Sequence, residues 1–100
     1  MTEEGLLKTK IRKYLTQKNV YWASIQGGPG SKPGDPDMVV CKDGRFIALE
    51  MKAKSGRQSP IQMKREQEIK ESGGEYYLIR RLEEVKEIIE GENVVESEQI

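Results

Sequence analysis

Residues 34–52 decide the fold, and they read GDPDMVVCKDGRFIALEMK. Two apolar segments, Met38–Lys42 and Arg45–Lys52, flank the pair Asp43-Gly44. An Asp-Gly pair between two such segments is a strong signal for a two-residue β-hairpin turn. We therefore expect two antiparallel strands that lie side by side, with the start of the first strand next to the end of the second.

This hairpin would bring two carboxylates and a lysine together. Asp37 precedes the first strand, and Glu50 and Lys52 lie near the end of the second. Because side chains alternate along a strand, Glu50 and Lys52 share one face, and the apolar residues between and before them can enter a core from the other. Neighbouring carboxylates repel unless a cation or proton lies between them. The pattern is typical of metal-assisted phosphodiester cleavage, in which a lysine adds positive charge beside the phosphate.

Both parts of this pattern also have a purely structural interpretation. A Glu-x-Lys segment on a strand is commonly a surface charge pair that contributes little to stability. The segment Asp35-Pro36-Asp37 could be only an acidic turn. The sequence contains no histidine, which excludes His-based zinc sites, Ser-His-Asp triads and histidine general bases.

Periodicity, cap and turn signals predict the other elements. They are a helix over residues 4–16 begun by Thr2 or Glu3, a strand over 20–25, a helix from Ser59 to about Ser72, a strand over 75–80 and a helix over 82–90. A helix that crosses from the third strand to the fourth implies that these two run parallel. We predict one α/β domain at residues 1–91 with a mixed four-stranded sheet, in the order α-β-β-β-α-β-α. An acidic tail follows at residues 92–100.

Composition bounds the compartment and the charge of the partner. No apolar run approaches the ~18 residues of a membrane span. The single cysteine, Cys41, lies in an apolar stretch, and we interpret it as a core residue in a reducing cytoplasm. The net charge is zero, but residues 1–54 carry ten Lys/Arg and six Asp/Glu, whereas residues 55–100 carry seven and eleven. A basic half suits a polyanionic substrate, although charged exposed helices would produce the same asymmetry.

The residues that carry this pattern resemble a known family. Gly34-Asp35-Pro36-Asp37, the hairpin, Glu50-Met51-Lys52 and a glutamine in the following helix are similar to the PD-(D/E)xK nuclease superfamily. More narrowly, they resemble its VRR-NUC branch, which has small stand-alone phage and bacterial members. The resemblance extends from the first helix through the strand at Tyr76–Ile79. It implies a restriction-endonuclease-like fold and a metal-dependent endonuclease that hydrolyses DNA in the cytoplasm of a bacterial or phage-infected cell.

The resemblance also implies a role for each residue of the central cluster. Asp37 and Glu50 would bind Mg²⁺ or Mn²⁺, helped by the backbone carbonyl of Met51. Lys52 would orient or help activate the attacking water and stabilise the charge that develops on the phosphate.

Two outer residues have alternative structural roles. Gln62 matches the family glutamine that supports the site, but Ser59-x-x-Gln62 is also a capping box, which would turn the side chain back to the backbone. Glu4 matches the family's acidic residue in the first helix. An acid in the first turn is, however, also favoured by the helix dipole.

The remaining expectations concern DNA. The Gly/Pro-rich loop at residues 26–34 is predicted to be a flexible flap that enters the DNA groove, with Lys32 as a phosphate contact. Lys54 and Arg57 would also contact the backbone, which positions a substrate without reading its sequence. The resemblance implies branched DNA and a homodimer that resolves Holliday junctions. The alternatives are a flap or other structure-specific nuclease, and a catalytically silent DNA-binding or scaffold module of the same fold.

Overall fold

The computed structural model describes residues 1–91, so the predicted acidic tail at 92–100 lies outside the described residues. The elements are α1 (Glu3–Gln17), β1 (Tyr21–Ser24), β2 (Met38–Lys42), β3 (Arg45–Met51), α2 (Pro60–Glu71), β4 (Glu75–Ile79), α3 (Leu82–Lys86) and a closing π-helical turn (Glu87–Gly91). The predicted order α-β-β-β-α-β-α is confirmed. The last helix differs from the prediction because its final turn widens from α to π geometry.

The sheet is mixed, with the strand order β1-β2-β3-β4. The first three strands are antiparallel neighbours, and β4 runs parallel to β3, as the connection through α2 predicts. Asp43 and Gly44 have positive φ angles of 53° and 79°, which a type I′ hairpin turn requires. The resulting register pairs Met38 with Leu49. The residue before β2 therefore lies beside the end of β3.

One face of the sheet is covered by α1, whose sequence places apolar residues three and four apart. Its buried side chains pack with those of β3, α3 and the closing π-helical turn in one cluster. The cluster includes Leu7, Ile11, Leu15, Ile47, Leu49, Met51, Val85 and Ile89. Burial of one such side chain contributes about 1.5–3 kcal/mol. None of the helices in residues 1–91 has both the length and the apolarity needed to span a bilayer.

The interpretation of Cys41 as a core residue is wrong, because its side chain is exposed. Cys41 pairs with Tyr21 on one side and Phe46 on the other, and these neighbours are 68% and 50% exposed. The alternation of β2 turns Val40 into the core and Cys41 to the opposite face. On that face α2 packs mainly against β4. The side chains of Tyr21, Cys41 and Phe46 are therefore left exposed to solvent.

Candidate metal centre

Asp37 stands at the start of β2, where the chain leaves the loop of residues 25–36. Its backbone carbonyl accepts a hydrogen bond from the amide of Ile25, which extends the pairing with β1. Its side chain is buried, and Oδ2 accepts a hydrogen bond from the backbone N–H of Met51 at 2.8 Å. This bond ties the carboxylate to β3, so Asp37 is a fixed part of the site and not an acidic turn at the surface.

Glu50 lies on β3 with only 2% of its surface exposed. Its Oε2 accepts a hydrogen bond from Nε2 of Gln62 at 3.0 Å and lies 3.6 Å from Nζ of Lys52. Its Oε1 is buried and has no hydrogen-bond partner among residues 1–91. A surface charge pair would not bury a carboxylate in this way, because an unpaired buried polar atom carries a desolvation penalty.

The electrostatics of Glu50 follow from this burial. Removal from water, together with the negative charge of Asp37, raises the pKa of Glu50 to about 7 even though the ammonium group of Lys52 opposes the shift. The ionised form of Glu50 is therefore disfavoured, because the positive charge nearby does not offset its burial and the charge of Asp37. A divalent cation would supply that charge.

The donors present fit a hard divalent cation. Carboxylate and carbonyl oxygens are the ligands that Mg²⁺ and Mn²⁺ prefer, and the unpartnered Oε1 of Glu50 is a free ligand atom in the described part of the chain. Within residues 1–91, no group of three or more His, Cys, Asp or Glu side chains is arranged to hold a metal ion. The side-chain ligands would therefore be Asp37 and Glu50, with water or backbone oxygens in the other positions.

Gln62 makes both of the contacts that its sequence context suggested, one with the start of α2 and one with the carboxylate of Glu50. Its Oε1 accepts from the backbone N–H of Ser59 at 2.9 Å, and its own backbone N–H donates to Oγ of Ser59, which completes the capping box of α2. Its Nε2 is left to donate to Glu50. An amide has separate donor and acceptor ends, so one side chain caps the helix and holds the carboxylate.

Glu4 lies in the first turn of α1, which Thr2 caps by accepting from the N–H of Gly5. Its Oε2 lies 3.7 Å from Nζ of Lys8, one turn further along the helix. Its negative charge also contributes to the raised pKa of Glu50. Glu4 is thus near the cluster, although it contacts Lys8 and not the two buried carboxylates.

Lys8 is a site residue that the sequence analysis missed. Its Nζ lies 3.3 Å from Oδ1 of Asp37, and its side chain is 25% exposed. The signal was weak: Lys8 follows the buried residue Leu7 and lies four residues after Glu4, a spacing that puts the two charges on one helix face. Only the packing of α1 on the sheet shows that this face meets Asp37.

The predicted DNA contacts lie in loops around this centre. Lys54 and Arg57 are exposed in the connection between β3 and α2. Lys32 is exposed in the connection between β1 and β2, and its backbone N–H donates to Oδ2 of Asp35 at 2.8 Å.

The residues just before Asp37, at the end of the loop that contains Lys32, contact α2. The guanidinium of Arg65 donates to the carbonyl oxygen of Pro33 at 3.1 Å and lies 3.7 Å from Oδ1 of Asp35. Gly34, with φ 85°, approaches so closely that a Cβ atom there would lie 2.7 Å from the carbonyl oxygen of Ile61. These contacts set the path of the chain into the site.

Comparisons with known proteins agree with this architecture. No protein-family model and no curated protein matches the sequence. A solved structure described as a VRR_NUC domain is similar to the chain with a TM-score of 0.76 and 17% sequence identity, and the match covers 90% of this chain and 97% of that one. Likeness at this level of identity establishes the fold. The chain has the restriction-endonuclease-like fold of a VRR_NUC domain, as its residues predicted.

Proposed function

We propose that this protein is an Mg²⁺- or Mn²⁺-dependent endonuclease that hydrolyses phosphodiester bonds in DNA. The observation that carries the proposal is the buried carboxylate of Glu50, which lies within the electrostatic influence of Asp37 and leaves Oε1 without a partner in residues 1–91. Burial of an ionised Glu50 destabilises the fold unless a cation or a proton compensates its charge. The fold of a VRR_NUC domain supports the same reaction.

Each residue of the site has a role in this proposal. Asp37, Glu50 and the backbone carbonyl of Met51 would hold the cation, which neutralises charge on the phosphate and lowers the pKa of a bound water when present. Lys52, 3.6 Å from Oε2 of Glu50, orients the attacking water and stabilises negative charge on the phosphate oxygens. Gln62 fixes the orientation of the Glu50 carboxylate through its hydrogen bond.

The substrate we propose is branched DNA, with a Holliday junction as the leading candidate and a flap as the alternative. Support comes from the resemblance to the VRR-NUC branch and from the net positive charge of residues 1–54. Lys32, Lys54 and Arg57 would contact phosphates. A homodimer would place two sites for paired cuts, and the exposed side chains of Tyr21 and Phe46 offer apolar surface for such contact.

One observation favours a different function. Nζ of Lys8 lies 3.3 Å from Oδ1 of Asp37, so the protein itself supplies a positive charge where a cation would bind. A DNA-binding module that lacks catalysis could use Lys8 to stabilise the site without metal. In the nuclease, by contrast, a bound cation would compete with Lys8 for the carboxylate of Asp37.

Cleavage assays on four substrates distinguish these functions. The protein is incubated with a four-way junction, a flap, linear duplex and single strand, each in Mg²⁺, Mn²⁺ or EDTA. Symmetric nicks at the junction support a resolvase, and cleavage confined to the flap supports the alternative nuclease. Binding without metal-dependent cleavage of any substrate would favour the silent module. Equal cleavage by wild type, Glu50→Ala and Lys52→Ala would overturn the assignment of the site.

A further inference from the structure

A small cleft lies beside Asp37, between α1 and the end of β1, and of its polar residues only Lys8 and Asp37 belong to the metal centre described above. Its volume is about 100 Å³, and its polar lining consists of Lys8, Arg12, Ser24, Gln26 and Asp37. Pockets for drug-sized ligands occupy roughly 300–1,000 Å³, so neither a nucleobase nor a cofactor fits. That volume corresponds to about three water molecules at about 30 Å³ each. The cleft therefore suits a small polar group carried on a larger molecule.

The charge of the cleft is positive. Two cations, Lys8 and Arg12, face one carboxylate, and Lys8 already lies 3.3 Å from that carboxylate. Arg12 has no ion pair with any residue in the range that the structure describes, and its positive charge is thus not neutralised locally. The hydroxyl of Ser24 adds a hydrogen-bond donor, and so does the second N–H of the Gln26 amide, whose Nε2 already donates to the carbonyl oxygen of Asp35 at 3.3 Å. Excess positive charge with several donors is the chemistry that binds a phosphate.

The position of Arg12 is prepared before any ligand binds. Its guanidinium carbon lies 6.0 Å from the centre of the Trp22 ring, a cation–π distance. Trp22 is held in turn, because its Nε1 donates to Oγ1 of Thr16 at 3.0 Å. Thr16, like Arg12, belongs to α1. The helix and the first strand thus fix the guanidinium at the cleft, which reduces the entropy lost when it binds a phosphate.

We propose that this cleft binds a backbone phosphate of the DNA strand, adjacent in the strand to the phosphate that is cleaved, with Arg12 as its principal contact. The inference rests on the proposed function, since Asp37 is shared between the cleft and the metal centre. A phosphate in the cleft would set the register of the strand so that the next phosphate lies at Glu50 and Lys52. Arg12 is a positioning residue in this account, because it does not touch the reacting atoms.

The salt dependence of DNA binding tests the proposal without requiring catalysis. Affinity of the full chain for a fluorescent four-way junction is measured by anisotropy in EDTA at several salt concentrations. Each phosphate contact contributes about −0.9 to the slope of log K against log salt. Arg12→Met should make the slope less steep by about one such contact. Lys10→Met, which removes the same charge from an exposed position of the same helix, should not.

Two further variants keep the test decisive. Arg12→Lys preserves the charge and should retain most of the wild-type slope. If loss of the Trp22 contact unfolds Arg12→Met, Gln26→Glu introduces a negative charge from an exposed residue and should weaken binding several-fold, whereas Gln17→Glu, also exposed, should not. Equal slopes for Arg12→Met and Lys10→Met, or equal affinities for the two glutamate variants, would overturn the proposal that the cleft binds a DNA phosphate. That result would leave the proposed function intact if wild type still cleaves DNA with Mn²⁺. Conversely, a protein that shows the predicted slopes but does not cleave DNA would refute the nuclease activity and leave phosphate binding in the cleft intact.

Discussion

Gln62 donates from Nε2 to Oε2 of Glu50 at 3.0 Å while its Oε1 accepts from the backbone of Ser59 at 2.9 Å. The first turn of α2 and the buried carboxylate of β3 are thereby joined through one amide. Because the helix start fixes the amide, the carboxylate is held in one orientation with its other oxygen, Oε1, left for a ligand. A helix cap thus becomes part of the proposed metal centre.

Two variants distinguish the role of Gln62 in capping α2 from its role in holding the Glu50 carboxylate. Ser59→Ala removes the side-chain cap and keeps the bond to Glu50, so it should cost about 1 kcal/mol of stability and leave cleavage close to wild type. Gln62→Ala keeps that cap, because the backbone N–H of residue 62 is its donor, but it removes the bonds of the amide to Ser59 and Glu50. It should also lower cleavage or metal affinity by about 10–100-fold. Urea unfolding and cleavage rates check these outcomes. Equal loss of activity in the two variants would show that Gln62 acts only as a cap.

Replacement of Glu50 should stabilise the protein in the absence of metal at high pH. Since burial raises the pKa of Glu50 from 4.5 to about 7, the stabilising contribution of its proton is complete below pH 4.5 and is lost as the pH rises through 7. At pH 8 in EDTA, Glu50→Gln should therefore exceed wild type in free energy of unfolding by about 2–3 kcal/mol. The difference should shrink towards pH 5, and a wild type that is the more stable protein at pH 8 would contradict the account.

The close approach of Gly34 to α2 predicts an unusual sensitivity to one methyl group. Gly34 and Gly30 have nearly the same φ, 85° and 86°, but an added Cβ meets the backbone of Ile61 at 2.7 Å only at Gly34. Gly30→Ala should cost about 1–2 kcal/mol from its φ alone. Gly34→Ala should cost more and should reduce cleavage, because the loop that leads to Asp37 has to move. Equal losses of stability in the two variants would show that the contact with Ile61 is unimportant.

An ion pair at the other end of the sheet predicts part of the acid sensitivity. Nε of Arg45 donates to Oε2 of Glu75 at 2.8 Å, and this hydrogen bond, with one from Tyr77, lowers the pKa of Glu75 to about 2. The stability that it contributes is present above pH 4.5 and is lost as the pH falls towards 2. Wild type should be more stable than Glu75→Gln by about 1–2 kcal/mol at pH 6, after allowance for solvent screening. The gap should close by pH 2, and a gap that does not change with pH would rule out this pair as the cause.

The sequence was most informative where local chemistry determines geometry. Asp43-Gly44 requires one turn type, and the turn sets the register that brings Asp37 beside the end of β3. Strand alternation correctly separated Glu50 from the core-facing Leu49 and Met51. These conclusions needed no knowledge of how the helices pack.

The errors and omissions concern contacts between elements that are distant in the chain. Lys8 was missed because its position beside Asp37 depends on how α1 lies across the sheet. Cys41 was misplaced because an apolar strand does not reveal which of its faces a helix covers. The choice between cap and site for Gln62 could not be made from sequence, since the amide does both.

Cleavage of a fluorescent four-way junction by wild type and Asp37→Asn tests the central claim most directly. Asparagine keeps the size of the side chain and removes one of the two charges proposed to hold the cation. Wild type should cleave in Mn²⁺ and lose all cleavage in EDTA, and Asp37→Asn in Mn²⁺ should be slower by about 100-fold or more, which corresponds to about 2.7 kcal/mol of transition-state stabilisation. Cleavage by wild type at the same rate in EDTA, or by Asp37→Asn at the wild-type rate, would contradict a metal-dependent nuclease centred on Asp37 and Glu50.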